Sequence, residues 1–262
     1  MTLAPTFIDV MRHGEPEGIC PKGGTILRGR SDHALTQKGW WQAQQRCQSL
    51  IDSKKGDSDK SSSDGPWDII ISSPLIRCAD FAKSLVDSLN KQTNSDALCL
   101  RINKNWREID YGDWDGKSTA DIWQSQPEIM EKMWQAPLEF CAPNGEAVID
   151  FSQRIEQAWL ELITEFQGKR ILLVCHGGVM RLLLQQLLMM APEAMNRFAI
   201  PYAAMTRFRV DHSVSDEGKD LNWPSLLAHH GEELSSEELS VEKLKGEKLK
   251  GEKLKKEGNK DE

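Results

Sequence analysis

Phe7-Ile8-Asp9-Val10-Met11-Arg12-His13-Gly14 and, far downstream, Ile171-Leu172-Leu173-Val174-Cys175-His176-Gly177-Gly178 are the two stretches on which the fold turns. Each begins as a short aliphatic run with abrupt polar flanks, the pattern of a buried strand, predicted over Phe7–Met11 and Ile171–Cys175. Each ends in histidine followed by glycine, which lets the backbone turn sharply and approach a ligand closely. In open α/β sheets, ligands bind beyond the carboxyl ends of the strands. One histidine ending a strand would be read as structural. Two of them on the same edge of one sheet, the first beside Arg12, point to a shared site.

Working outward, Ile69–Ser72, Leu98–Ile102 and Arg207–Val210 read as further strands. Helical patterns lie between them. Thr36 is placed as an N-cap before Trp40, Ala43, Cys47 and Leu50. Phe81, Leu85 and Leu89 step by four, and Phe151, Ile155, Ala158, Leu162 and Phe166 form a third apolar stripe. Strands alternating with helices predict an α/β fold, a three-layer α/β/α sandwich around a mostly parallel sheet.

A third strand end carries Ser72-Ser73-Pro74-Leu75-Ile76-Arg77. The serines can cap the following helix. Arg77 falls in that helix's first turn, where the helix dipole disfavours a cation. It reads either as a solvated surface side chain or as sharing an anion with Arg12, because guanidinium forks match phosphate oxygens. A fourth piece, Trp106-Arg107-Glu108-Ile109-Asp110-Tyr111-Gly112-Asp113-Trp114-Asp115-Gly116, is an acidic, turn-rich loop just past a strand. Alone it says little; beside two histidines and two arginines it supplies a proton donor.

Composition sets the limits. The chain has 262 residues, 39% of them apolar, with 33 Lys+Arg against 40 Asp+Glu for a net charge of −7. That apolar share sustains a core and excludes wholesale disorder. The acidic balance argues against nonspecific nucleic-acid binding, which needs a surplus of basic side chains, though not against a small anionic substrate. The densest apolar stretch, Leu182–Leu188, is broken by Gln185 and Gln186 and is too short to span a bilayer. Met1-Thr-Leu-Ala-Pro-Thr has no basic region followed by an apolar one, so the expected location is cytoplasmic. The six cysteines (Cys20, Cys47, Cys78, Cys99, Cys141 and Cys175) have no CxxC pair and no short regular spacing, and read as reduced. One domain is expected over 1–231, with a flexible insertion of Ser, Lys, Gly and Asp at 53–65. The segment 232–262, with near-copies EKLKG, EKLKG and EKLKK, reads as a disordered charged tail, since a period of five builds neither helix stripe nor strand face.

In this order the segments RHGE (12–15), GRSDHALTQKG (29–39), SSPLIRC (72–78), REIDYGDWDG (107–116), PNGEAVIDF (143–151) and VCHGGVMR (174–181) resemble the histidine phosphatase superfamily, the phosphoglycerate-mutase-like fold. The RHGEPEG start and the EIDYGDWDG loop are most similar to α-ribazole phosphatase-type enzymes. The resemblance implies a metal-independent phosphomonoesterase with no cofactor, acting on a small phosphorylated metabolite, with α-ribazole 5'-phosphate the substrate the branch suggests. It implies that His13 becomes phosphohistidine and that Arg12, Arg77 and His176 hold the phosphoryl oxygens; Gly29 and Gly177 are placed with the substrate-binding residues, and Arg28 reads either as a further substrate contact or as a surface side chain on a loop. Glu108 would protonate the leaving oxygen and later deprotonate water, with burial against Tyr111 and Trp114 expected to favour its protonated form. Asp110 on the same loop is the alternative donor.

The alternatives are a phosphoglycerate mutase-type phosphotransferase and a phosphate-binding pseudoenzyme. Mutases of this kind typically carry Ser three positions after the nucleophile and Thr before the glycine of the next segment. Pro16 and Arg28 stand there, and Glu108 and His176 are closer in sequence than a mutase requires; a hydrolase is favoured. Ile19 replaces a residue that is often polar in the family. The remaining features have plainer readings. His33 is structural, and His212 lies near the tail. His229 and His230 form a solvated turn, and Trp40-Trp41 and most other tryptophans pack in the core. Cys175 points away from His176, and Glu146 either orders the phosphate-binding arginines or starts the next helix.

Overall fold

Strands β1 (Thr6–Arg12), β2 (Ile69–Ser72), β3 (Cys99–Ile102), β4 (Arg170–Cys175), β5 (Met205–Val214) and β6 (Asp220–His230) form one sheet in the order β3-β2-β4-β1-β5-β6. The first four run parallel, β5 is antiparallel to β1, and β6 is antiparallel to β5. The computed structural model describes residues 3–18, 25–55, 66–94, 97–215 and 217–230. Ile19, Cys20, the stretch 56–65 and the tail from 232 lie outside the described residues.

The helices are α1 (Gln37–Lys55), α2 (Ile76–Thr93), α3 (Thr119–Ser125), α4 (Pro127–Gln135), α5 (Val148–Glu165) and α6 (Gly177–Leu187). Thr36 caps α1, its hydroxyl accepting the Gly39 N–H at 2.9 Å. Helix α1 takes in 53–55, the first residues of the expected insertion.

Successive strand side chains point to opposite faces, and the core divides accordingly. Met11, Ile70, Leu172 and Val174 pack on Ala43 and Cys47 of α1 and Phe81 and Val86 of α2. Val10, Leu173 and Cys175 pack on Phe151, Ile155 and Trp159 of α5 and Val179, Met180 and Leu183 of α6. The outcome is a three-layer sandwich. Strand β4 is covered on both faces and flanked by parallel strands, which is why Ile171–Cys175 is an unbroken apolar run.

Two readings are corrected at the far edge. The sheet has a sixth strand, β6, beyond those expected from the sequence; its Pro224 is tolerated because β6 is an edge. His229 and His230 therefore belong to a strand and not to a turn, and His229 Nδ1 lies 2.7 Å from Thr206 Oγ1. His212, in β5, is buried with Nε2 2.7 Å from Thr6 Oγ1. Among the described residues, no helix is long and apolar enough to cross a membrane.

Candidate active site

Adjacent pairing of β1 and β4 puts Arg12 opposite Cys175, so His13 and His176 leave the sheet side by side. Their imidazoles meet edge to face with centroids 5.3 Å apart, and both are buried. His13 Nδ1 is 2.7 Å from the Gly14 carbonyl oxygen. A carbonyl only accepts, so Nδ1 carries the hydrogen and the neutral ring keeps a bare lone pair on Nε2. Burial, followed by the positive charges of Arg12 and Arg77, holds the His13 pKa well below the ordinary histidine value. Burial and then Arg77 do the same to His176. His176 Nε2 contacts Ser73 Oγ at 2.7 Å, so the serine at the end of β2 orients the second ring. Gly14 makes room for protein, not for a ligand: a Cβ there would lie 1.9 Å from the Gly39 carbonyl oxygen.

The guanidinium groups are held by backbone carbonyls. Arg12 donates to the Ile200 carbonyl and lies over the Tyr202 ring, its Cζ 4.2 Å from the centroid. Tyr202 also stands 5.9 Å from the His13 ring. Arg77 is fully buried and donates to Ser31 O at 2.6 Å and Arg28 O at 3.0 Å. The Nε–H groups of Arg12, Arg28 and Arg77 are buried and have no hydrogen-bond partner among the described residues. Buried donors left unpaired are costly, and an anion is the partner that suits them best. Arg28 donates to the carbonyls of Glu17 and Gly18 at 3.2 and 2.5 Å. The N–H of Gly29 is taken by Asp115 Oδ1 at 2.7 Å, and Gly29 stands off the cavity wall.

The acidic loop is interlocked with the turn that precedes α5. Glu146 Oε2 accepts the Asp110 N–H at 3.2 Å, and the Glu146 N–H donates to Asp110 O at 2.8 Å. Glu146 also receives both Arg154 Nε and an Arg154 Nη, at 2.9 and 2.8 Å, while Arg154 donates to Asn105 O and Arg107 O. Glu146 thus braces the loop and does not order Arg12 or Arg77. Glu108 Oε2 accepts the Gly178 N–H at 3.0 Å, at the start of α6. Asp110 instead accepts the Gly112 N–H at 2.8 Å and pairs with Arg30 at 3.0 Å.

A cavity of about 330 Å³ opens over this ensemble. Arg12, His13, Arg28, Glu108 and Gly177 line it; His176 and Arg77, both fully buried, do not, nor do Asp110 and Gly29. Arg181, Tyr111 and Tyr202 also line it. Arg181 and Tyr202 carried no expected role: Arg181 stands one helical turn past Gly177, and Tyr202 lies in a segment with no motif. The thiols of Cys78 and Cys175 are driven up by burial and stay protonated, so neither competes as nucleophile. Among the described residues, no three His, Cys, Asp or Glu side chains cluster as metal ligands would.

The family model for the histidine phosphatase superfamily (branch 1) matches residues 8–217. The adenosylcobalamin/α-ribazole phosphatase of Escherichia coli is 28% identical over 193 residues, covering 73% of this chain and 83% of that protein. The 2,3-bisphosphoglycerate-dependent phosphoglycerate mutase of Rhizobium etli is 27% identical over 208 residues, covering 79% of this chain and 91% of that protein. The crystal structure of the α-ribazole phosphatase from Shigella flexneri superposes with a TM-score of 0.60 at 26% identity, covering 85% and 95% of the two chains.

Proposed function

The chain belongs to the histidine phosphatase superfamily, and from that premise we propose that it is a metal-independent phosphomonoesterase working through phosphohistidine at His13. The observation that carries this reading is the pair of contacting, neutral imidazoles, one of which has its Nε2 lone pair free.

In the first step, His13 Nε2 attacks phosphorus; the N–P bond forms as the bond to the ester oxygen breaks. Glu108 gives its proton to the departing alkoxide. The phosphorylated ring is cationic, and its Nδ1–H bond to Gly14 O strengthens accordingly. In the second step, the Glu108 carboxylate takes a proton from water, whose oxygen attacks phosphorus. The N–P bond breaks, phosphate departs, and both side chains return to their starting states. The loose transition state spreads charge over three equatorial oxygens, and the cations of Arg12 and Arg77 with His176 supply the opposing field.

Likeness to two α-ribazole phosphatases supports α-ribazole 5'-phosphate as the first substrate to try. The test is hydrolysis of p-nitrophenyl phosphate in EDTA, with acid-labile phosphate trapped on His13 by rapid quench. Full activity in His13→Ala, or tight binding without phosphohistidine, would defeat the proposal. Isomerisation of 3-phosphoglycerate faster than its hydrolysis would put a mutase in its place.

A further inference from the structure

The cavity has two unlike ends. Arg12, His13 and Glu108 occupy one; the wall leading away from them is apolar, built by Ile26 and by Trp123, Met130, Met133 and Trp134 of the α3–α4 pair. Met130 is fully buried, yet Trp123 and Trp134 on the same wall are 43% and 48% exposed. Two half-exposed indoles beside a catalytic cavity mark surface meant to be covered by a ligand, because scattered burial in the core does not explain them. Arg28 and Arg181 also line the cavity and donate to backbone carbonyls, the Nε–H of Arg28 staying unpaired, and Thr25, Thr119 and Asn196 stand among the apolar side chains.

We infer that Trp123 and Trp134 form the subsite for the distal part of the alcohol half of the ester, and that this part carries a flat aromatic ring. The inference rests on the phosphatase reading and deepens it. With phosphorus held at His13 Nε2, the ester oxygen faces Glu108, and the rest of the alcohol has this wall to lie against. An indole face receives a flat ring by offset stacking, and Met133 adapts to its edge.

The test compares n-propyl phosphate with 3-phenylpropyl phosphate. Both release primary alkoxides of nearly equal basicity, so the ratio of their kcat/KM values reports the distal contact and not the chemistry. We expect the wild-type chain to favour the phenylpropyl ester by about tenfold or more, the scale of discrimination by an apolar pocket. Trp123→Ala and Trp134→Ala should each cut that preference severalfold, and the Phe variants should keep most of it. A wild-type ratio near one, or a preference retained in both Ala variants, overturns the inference. If neither ester is hydrolysed, the phosphatase reading fails separately. Dissociation constants of the two esters, measured by calorimetry on the full chain, then decide the subsite by the same ratio.

Discussion

The Gly178 N–H donates to Glu108 Oε2 at 3.0 Å, and a Cβ on residue 178 would stand 2.3 Å from Glu108 Oε1. The second glycine of α6 and the carboxylate that lines the cavity therefore share one corner. The atom in the way is the far end of a flexible side chain, so an alanine would move the carboxylate and leave the helix intact. Replacing a helical glycine by alanine favours the helix by up to about 1 kcal/mol. Gly178→Ala should melt within a few degrees of wild type yet lose about 10²-fold or more in kcat on an alkyl phosphate, the scale of a displaced general acid. Unchanged turnover would show that Glu108 is not needed where it sits.

The same acid is separated from its neighbour by leaving-group dependence. Asp110 is committed to Gly112 and Arg30, whereas Glu108 lines the cavity. Glu108→Gln should depress hydrolysis of n-propyl phosphate about 10²- to 10⁴-fold and that of p-nitrophenyl phosphate far less, because nitrophenolate leaves without a proton. Asp110→Asn should stay within a few-fold on both substrates. Steady-state kinetics on the two esters reads the contrast, and the reverse pattern would transfer the role to Asp110.

Acid should loosen the fold through the paired imidazoles. His13 and His176 resist protonation in the folded chain, chiefly from burial, whereas the unfolded chain takes up those protons near a pH of about 6.5. Below that value the unfolded state binds more protons, so stability is full above it and falls as pH drops toward the lowered folded values. Urea midpoints measured from pH 7.5 down to 5.5 should fall, and His176→Asn should flatten the slope. Equal slopes in the two proteins would contradict the neutral pair.

Bracing of the acid loop is testable at Glu146. Its pair with Arg154 is mostly buried, with side chains 21% and 19% exposed, and Arg154 in turn holds the carbonyls on either side of Trp106. Glu146→Ala should cost about 1–3 kcal/mol, the penalty for stranding a partly buried partner. Glu108 follows Arg107 directly, so kcat should fall more than KM rises. Denaturant melts and kinetics on Glu146→Gln, which keeps one acceptor for Arg154, should recover part of both losses.

The parallel core was legible because β4 is buried on both faces and continuously apolar and β1 is apolar on either side of Asp9, leaving His13 and His176 as abrupt endings. The edge was not: β6 tolerates Pro224 and polar residues because one side needs no ladder partner. Arg77 was legible from a helix turn that disfavours it. Glu146 stands just ahead of α5, in line with one of its two readings, but its brace was hidden, since Arg154 lies two turns along α5 and neither residue signals the carbonyls they grip. Trp123 and Trp134 were counted with the core tryptophans. Composition cannot tell an indole packed inside from one waiting at a cavity mouth.

The unpaired Nε–H groups of Arg12 and Arg77 cannot tell an ester from the orthophosphate it yields. The share of that affinity common to reactant and product holds both alike and leaves the barrier between them unchanged. On the phosphohistidine reading, the released product is a competitive inhibitor by construction. Turnover slows as ambient phosphate accumulates, with no separate regulatory site required.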